Sequence, residues 1–188
     1  MDKKQEIIET AKTVFRQYGL SKTTLEDIAS RMGMKKNSLY YYFKSKNDLV
    51  IDVLKSEFDD FVGEQMQIIR HEEGLKEKLI RFLTYRVSEA YKFLSEYNVL
   101  NSTENTHLHG IVHQESEKLL LAELNVINTL LGYYNLNDRD KDTLSTVVLS
   151  ICQGFVYKRF MYKLSEEKIS EDIKATVDML FSGINLSE

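Results

Sequence analysis

The 188 residues include no proline. Proline ends helices and confines strands to sheet edges, because its ring fixes φ and removes a backbone donor. A chain without it can carry helices of any length. Ile7, Ile8, Ala11, Val14, Phe15 and Tyr18 recur at the spacing of one helix face. The same spacing returns along the chain, and alternating strand patterns do not appear. The pattern predicts an all-α protein of about nine helices.

Glycines and hydroxyl residues mark the breaks. Gly19 follows the first helix, where a left-handed cap is expected. Thr24 stands three residues before Asp27, a near capping box. It opens a short helix with Leu25, Ile28, Ala29 and Met32 on its apolar stripe, and Gly33 closes it. A third short helix carries Leu39 and Phe43 on one face. Ser45 with Asp48 repeats the cap pattern and opens a longer helix, from Leu49 through Phe58 and Phe61 to Met66. A fifth is expected over about 75–97. Residues 101–110, polar and weakly patterned, read as a loop or a frayed short helix. Helix is expected again over 117–134, and NLNDRD reads as a break. Leu144, Val148, Ile151, Cys152, Phe155 and Val156 mark the next helix. The last follows a cap at Ser165 and runs through Ile169, Ile173, Val177, Leu180 and Ile184.

Charge is segregated. Residues 1–50 hold ten Lys and Arg against six Asp and Glu, a balance of +4, while the remainder carries −8. A basic segment in an acidic chain points to nucleic-acid contact by that segment. Cys152 is the single cysteine, which excludes an internal disulfide and a multi-cysteine metal site, and its apolar surroundings predict burial. MDKKQEIIET lacks the apolar stretch of a signal peptide, and no run approaches the roughly 18 apolar residues of a membrane span. A cytoplasmic protein with no membrane partner is expected.

Residues 24–43 form a short helix, a glycine turn and a second short helix, the pattern in which the second helix enters the DNA major groove. With Leu39 and Phe43 inward, Lys36, Asn37, Tyr40 and Tyr41 face outward. Lysine supplies charge to phosphate or guanine, and Asn can bond an adenine edge bidentately. Tyrosine hydroxyls donate to phosphate oxygens. Thr24 places a hydroxyl beside the free N–H groups of a helix start, a seat for phosphate. The same rings would equally cover the core of a helical protein.

The stretch TTLEDIASRMGMKKNSLYYYFKSKNDL resembles the DNA-binding signature of the TetR-like (tetracycline repressor) family. Thr24, Asp27, Ile28, Ala29, Gly33, Leu39, Tyr40, Tyr42, Phe43, Lys46 and Leu49 match its pattern. VFRQYG fits the family's first helix, and the match covers about residues 5–54. The resemblance implies a DNA-binding domain over 1–47 and a helical effector-binding and dimerisation domain over 48–188. It implies phosphate contacts from Thr24, Tyr40, Tyr42 and Lys46, and groove-facing Lys35, Lys36, Asn37 and Tyr41. Two positions depart from the family: Lys35 replaces the usual Ser and Asn37 the usual Gly, so no relative's operator sequence carries over. The implied function is a one-component regulator, a repressor released from a palindromic operator by a small molecule.

The implied homodimer would form through the last two helices, where Gly154 would let a second helix approach closely. Phe61, Phe82, Tyr85, Tyr91, Tyr97, Tyr133 and Phe155 are candidates for contact with a largely apolar or aromatic effector, and each would serve equally as core. His109 and His113 have the i, i+4 spacing of a metal pair, with His107, Glu104 and Glu115 nearby. Gly110 between them weakens the helix that spacing needs, so the segment reads as solvated, and no metal or cofactor is expected. No nucleophile–base set is tied together by spacing, and the Glu-x-x-His pairs of di-iron bundles are missing. An enzyme built as a helical bundle, or a protein-binding adaptor, are the alternatives.

Overall fold

The computed structural model describes residues 2–71, 74–99 and 106–183. They form eight helices and no strand: α1 (Lys3–Tyr18), α2 (Leu25–Arg31), α3 (Lys36–Tyr42), α4 (Lys46–Arg70), α5 (Leu75–Glu96), α6 (Thr106–Gly132), α7 (Asp138–Tyr162) and α8 (Glu166–Gly183). The expected all-α class holds. The helix count among described residues is eight, because the segment read as a loop or separate short helix joins the helix after it. Leu108, Ile111, Val112 and Glu115 are buried at helical spacing, so α6 begins at Thr106. Polar residues between them hid that stripe. An added Cβ at Gly110 would meet nothing within 4 Å, so glycine there costs only helix propensity. Glu104, Ile184 and the expected loop residues 101–105 lie outside the described residues.

The local caps follow the hydroxyl signals. The Asp27 N–H donates to Thr24 Oγ1 at 3.2 Å, and the Thr24 N–H and hydroxyl donate to Asp27 Oδ2 at 2.8 and 2.7 Å. The Asp48 N–H donates to Ser45 Oγ at 3.1 Å and the Lys168 N–H to Ser165 Oγ at 3.2 Å. In NLNDRD the break is shorter than expected. Asn137 caps α7 by accepting the Asp140 N–H at 2.9 Å, and Asp138 and Asp140 favour the positive end of the helix dipole. Gly19 has φ 84° and ψ 153°: positive φ as expected, outside the left-handed helical region. Gly33, with φ 64°, makes the turn after α2.

The chain packs as two units. The first comprises residues 1–60 and 92–120, the second 61–91 and 121–188. Helices α4, α5 and α6 each contribute residues to both. In the first unit Ile7, Phe15, Ile28, Leu39, Leu49 and Leu54 are fully or almost fully buried in one apolar cluster. Leu108, Ile111 and Val112 of α6 join it, with Tyr97 from just beyond α5. The Glu57 carboxylate ties polar groups beside that core. It accepts Arg16 Nη2 at 2.7 and 2.9 Å and the Tyr97 hydroxyl at 2.8 Å. The Leu20 N–H donates to the Tyr97 carbonyl at 3.4 Å.

In the second unit Phe82, Leu83, Val87, Ile127, Leu130, Cys152, Ile173 and Val177 form the buried interior. Burial pushes the Cys152 thiol up to about 12. Such a thiol is an inert core side chain.

The capping box has a titration signature. The Thr24 hydroxyl and N–H hold the Asp27 carboxyl below its ordinary value of 3.8. Asp27 therefore stabilises the folded state above about pH 4, and this is lost as pH falls through the folded value. Carbonyl NMR should place the Asp27 midpoint below 3.8, and Thr24→Ala should return it toward 3.8. A midpoint unchanged by that substitution would contradict the cap.

Candidate nucleic-acid interface

The surface is built by α2, the turn at Gly33 and α3. The apolar side of α2 (Leu25, Ile28, Ala29) and Leu39 of α3 are buried, as is Phe43 just past it. That anchoring leaves the other side of α3 in solvent. Lys35, Lys36, Asn37, Tyr40 and Tyr41 are exposed together, Tyr41 at 86% of its surface. Tyr42 is half-buried against the core, and its ring meets Tyr41 edge-on at 5.2 Å. Ser38 and Lys44 are exposed beside them, on α3 and just beyond it. The sequence reading passed over both, although their outward position follows from the burial of Leu39 and Phe43.

Three of the expected contact residues already have intramolecular partners. The Thr24 hydroxyl proton points at Asp27, so a donated bond to phosphate requires it to turn away. Lys46 Nζ donates to the Ser21 carbonyl at 3.1 Å, and partial burial lowers its pKa from 10.5 against the pull of Asp27. Lys36 forms an ion pair with Glu26 of α2, and its Nζ lies 5.8 Å from the centre of the Tyr40 ring. An open groove of about 540 Å³ runs along α1 and α2, with Tyr18, Lys22, Asp27 and Arg31 in its lining.

The seven aromatic candidates for effector contact differ in burial and in partners. Tyr97 lies in the first unit, 1% exposed and bound to Glu57. Phe82 is fully buried, whereas Tyr133 is 60% exposed with Lys78 5.4 Å from its ring centre. Phe61 and Tyr85 stack at 5.4 Å and 23°. Tyr91 meets Phe160 at 6.5 Å and the Arg159 guanidinium at 4.4 Å, and Phe155 is half-buried on α7.

The second unit also buries a polar trio that the sequence reading did not single out. Arg86 Nε and Nη2 donate to Glu123 Oε1 and Oε2 at 3.0 and 3.1 Å, and Gln65 Nε2 donates to Oε1 at 2.8 Å. Glu123 and Gln65 are fully buried. Gln65 Oε1 and Thr84 Oγ1, both buried atoms, have no hydrogen-bond partner among the described residues. The only sequence signal was polar residues at positions continuing apolar stripes on α4, α5 and α6.

His107, His109 and His113 are exposed on α6, with His113 Nδ1 3.7 Å from Glu117. Among the described residues no three His, Cys, Asp or Glu side chains cluster as a metal site would require. Nor is any described helix long and apolar enough to cross a membrane.

Residues 7–53 match the family model described as bacterial regulatory proteins, tetR family. Over 118 residues the chain is 30% identical to the HTH-type transcriptional repressor KstR2 of Mycolicibacterium smegmatis, a match covering 63% of this chain and 51% of that protein. The chain thus spans about half the length of that curated relative. A transcriptional regulator from Cytophaga hutchinsonii superposes with a TM-score of 0.74 at 23% identity, covering 96% of this chain and 97% of that one. The transcriptional regulator FadR of Bacillus subtilis, in complex with stearoyl-CoA, superposes with a TM-score of 0.65 at 19% identity, covering 92% and 96%. At these identities the superpositions show the fold.

The buried trio predicts a large stability effect. Glu123→Ala strands the Arg86 guanidinium in the interior and should cost about 3–5 kcal/mol. Urea unfolding monitored by circular dichroism would measure it, and a loss under about 1 kcal/mol would mean the pair is solvated.

Proposed function

The chain is TetR-like in its helix-turn-helix domain and in its fold, and from that premise we propose a cytoplasmic one-component repressor that binds a palindromic operator as a homodimer. The observation that carries the reading is α3, anchored by Leu39 and presenting Lys35, Lys36, Asn37, Tyr40 and Tyr41 to solvent. The Tyr40 and Tyr42 hydroxyls position the protein on phosphates, and Lys36 and Asn37 face base edges in the groove. Residues 1–47 supply this activity, and residues 48–188 supply effector binding and dimerisation.

One helix-turn-helix makes few phosphate contacts, so affinity comes from two copies on half-sites about 34–36 Å apart. The pairing surface lies on α7 and α8, where Tyr157, Met161, Tyr162 and Met179 are each more than half exposed. Gly154 supports it, since an added Cβ there meets nothing within 4 Å and the helix surface stays low. A second copy would cover apolar side chains that a monomer leaves in water.

The effector occupies the second unit. It is largely apolar, and its single polar group satisfies Gln65 Oε1. A buried acceptor without a donor costs about 1–3 kcal/mol, which an incoming hydroxyl or amide would recover. The FadR neighbour, captured with stearoyl-CoA, supports small-molecule binding in this fold. Because α4, α5 and α6 have residues in both units, an effector that reshapes the second unit would shift the recognition helices. DNA and effector then weaken each other by one coupling free energy.

Selection of duplexes from a random pool by the purified chain tests the reading. A recovered palindrome is expected, and sequence-neutral recovery would count against it. On that palindrome Asn37→Ala should lose discrimination worth about 1–3 kcal/mol at one base pair. Tyr42→Phe should weaken all sequences about equally.

A further inference from the structure

Among the acidic groups of the α2–α3 surface, Glu26 and Asp27 play different parts. Asp27 is consumed by the capping box, where it accepts two bonds from Thr24. Glu26, in the first turn of α2, reaches across the glycine turn and pairs with Lys36, the first residue of α3. The two side chains are 49% and 50% exposed. A pair so exposed adds little to folding stability. A carboxylate on a surface meant for a polyanion opposes binding, so its presence there has a consequence for what the surface accepts.

We infer that Glu26 is a specificity-determining residue: it withholds Lys36 from phosphates and suppresses sequence-independent DNA binding. The inference rests on the DNA-binding reading above. To contact a phosphate, Lys36 must leave one anion for another, and the released Glu26 carboxylate is left facing the DNA backbone with no donor. That exchange gains little. A major-groove edge offers what a phosphate lacks. Guanine N7 and O6 accept from Lys36, and a cytosine or adenine amino group donates to Glu26. A correct site therefore re-satisfies both members of the pair, while a wrong or purely electrostatic contact satisfies one. Discrimination here comes from a penalty on wrong contacts as much as from a reward for the right one.

The test is a double-mutant cycle on non-specific DNA. Fluorescence anisotropy would follow the full chain binding a mixed-sequence duplex of about two helical turns, between about 50 and 200 mM salt. The proteins are wild type, Glu26→Gln, Lys36→Gln and the double variant. Glu26→Gln should bind about two- to fivefold more tightly. Its salt dependence should steepen by about 0.9 for each subunit engaged, the value for one further phosphate per copy. Lys36→Gln alone should weaken binding by less than that gain, because it leaves the Glu26 carboxylate without its partner. Adding Lys36→Gln to Glu26→Gln should abolish the gain.

A gain from Glu26→Gln of equal size with and without Lys36 would overturn the inference, since Glu26 would then act by general repulsion. Unchanged affinity in Glu26→Gln would overturn it too, with the regulator reading intact. If wild type binds no duplex even at the lowest salt, that reading falls and the inference with it. Melting curves report folding, and Glu26→Ala, which also removes the carboxylate, should repeat the Glu26→Gln result.

Discussion

The Glu57 carboxylate holds three elements of the first unit at one point. Arg16 reaches it from α1, Tyr97 from just beyond α5, and Glu57 itself stands on α4. The part-buried Tyr97 bond is worth about 1.5–3 kcal/mol, and the Arg16 pair, with Arg16 45% exposed, adds about 0–1 kcal/mol. Burial and the neighbouring carboxylate both push the Tyr97 hydroxyl above its ordinary value, so it stays a donor at any physiological pH. Arg16 lies in the last turn of α1, just before Gly19 and the turn that starts α2. Fixing that end therefore fixes where α2 begins, and through Gly33 where α3 points. The recognition surface rests on a contact none of its own residues makes.

Charge on that surface is arranged economically. The basic balance of the first fifty residues suggested a field that attracts DNA wherever it meets it. In the folded unit much of that charge is already engaged: Lys12 with Asp60, Arg16 with Glu57, Lys4 with Asp52 and Lys36 with Glu26. Lysine count alone overstates the pull on phosphate. What remains for recognition is a short helix whose rings and Asn37 stand clear of the protein.

The second unit spends its polarity differently. Arg86, Glu123 and Gln65 are withdrawn from water, which is costly unless the partners match. The two ions match each other closely, and Gln65 orients its amide through Glu123. The leftover acceptor on Gln65 is the kind of buried group that native proteins rarely leave unmet. It lies in the unit proposed to bind the effector.

Much of this architecture was legible in the sequence, for a local reason. A cap such as Thr24 with Asp27, Ser45 with Asp48 or Ser165 with Lys168 closes within three residues, so backbone geometry alone brings the partners together. Apolar spacing placed Leu39 and Phe43 inward and so turned Lys36, Asn37 and Tyr41 outward. The start of α6 was obscured because histidines and Gly110 interrupt a stripe whose inward members are only every third or fourth residue. Tyr97 read as one more pocket ring, although its hydroxyl meets a carboxylate 40 residues away. The sequence by itself determined most of the helices, the caps at Thr24, Ser45 and Ser165 and the outward face of α3, because those depend on contacts one turn apart. Only the tertiary structure decided that Glu57 gathers Arg16 and Tyr97, that Glu123 meets Gln65 and Arg86, and that Glu26 holds Lys36. Those pairings depend on how separate helices approach, which no local spacing encodes.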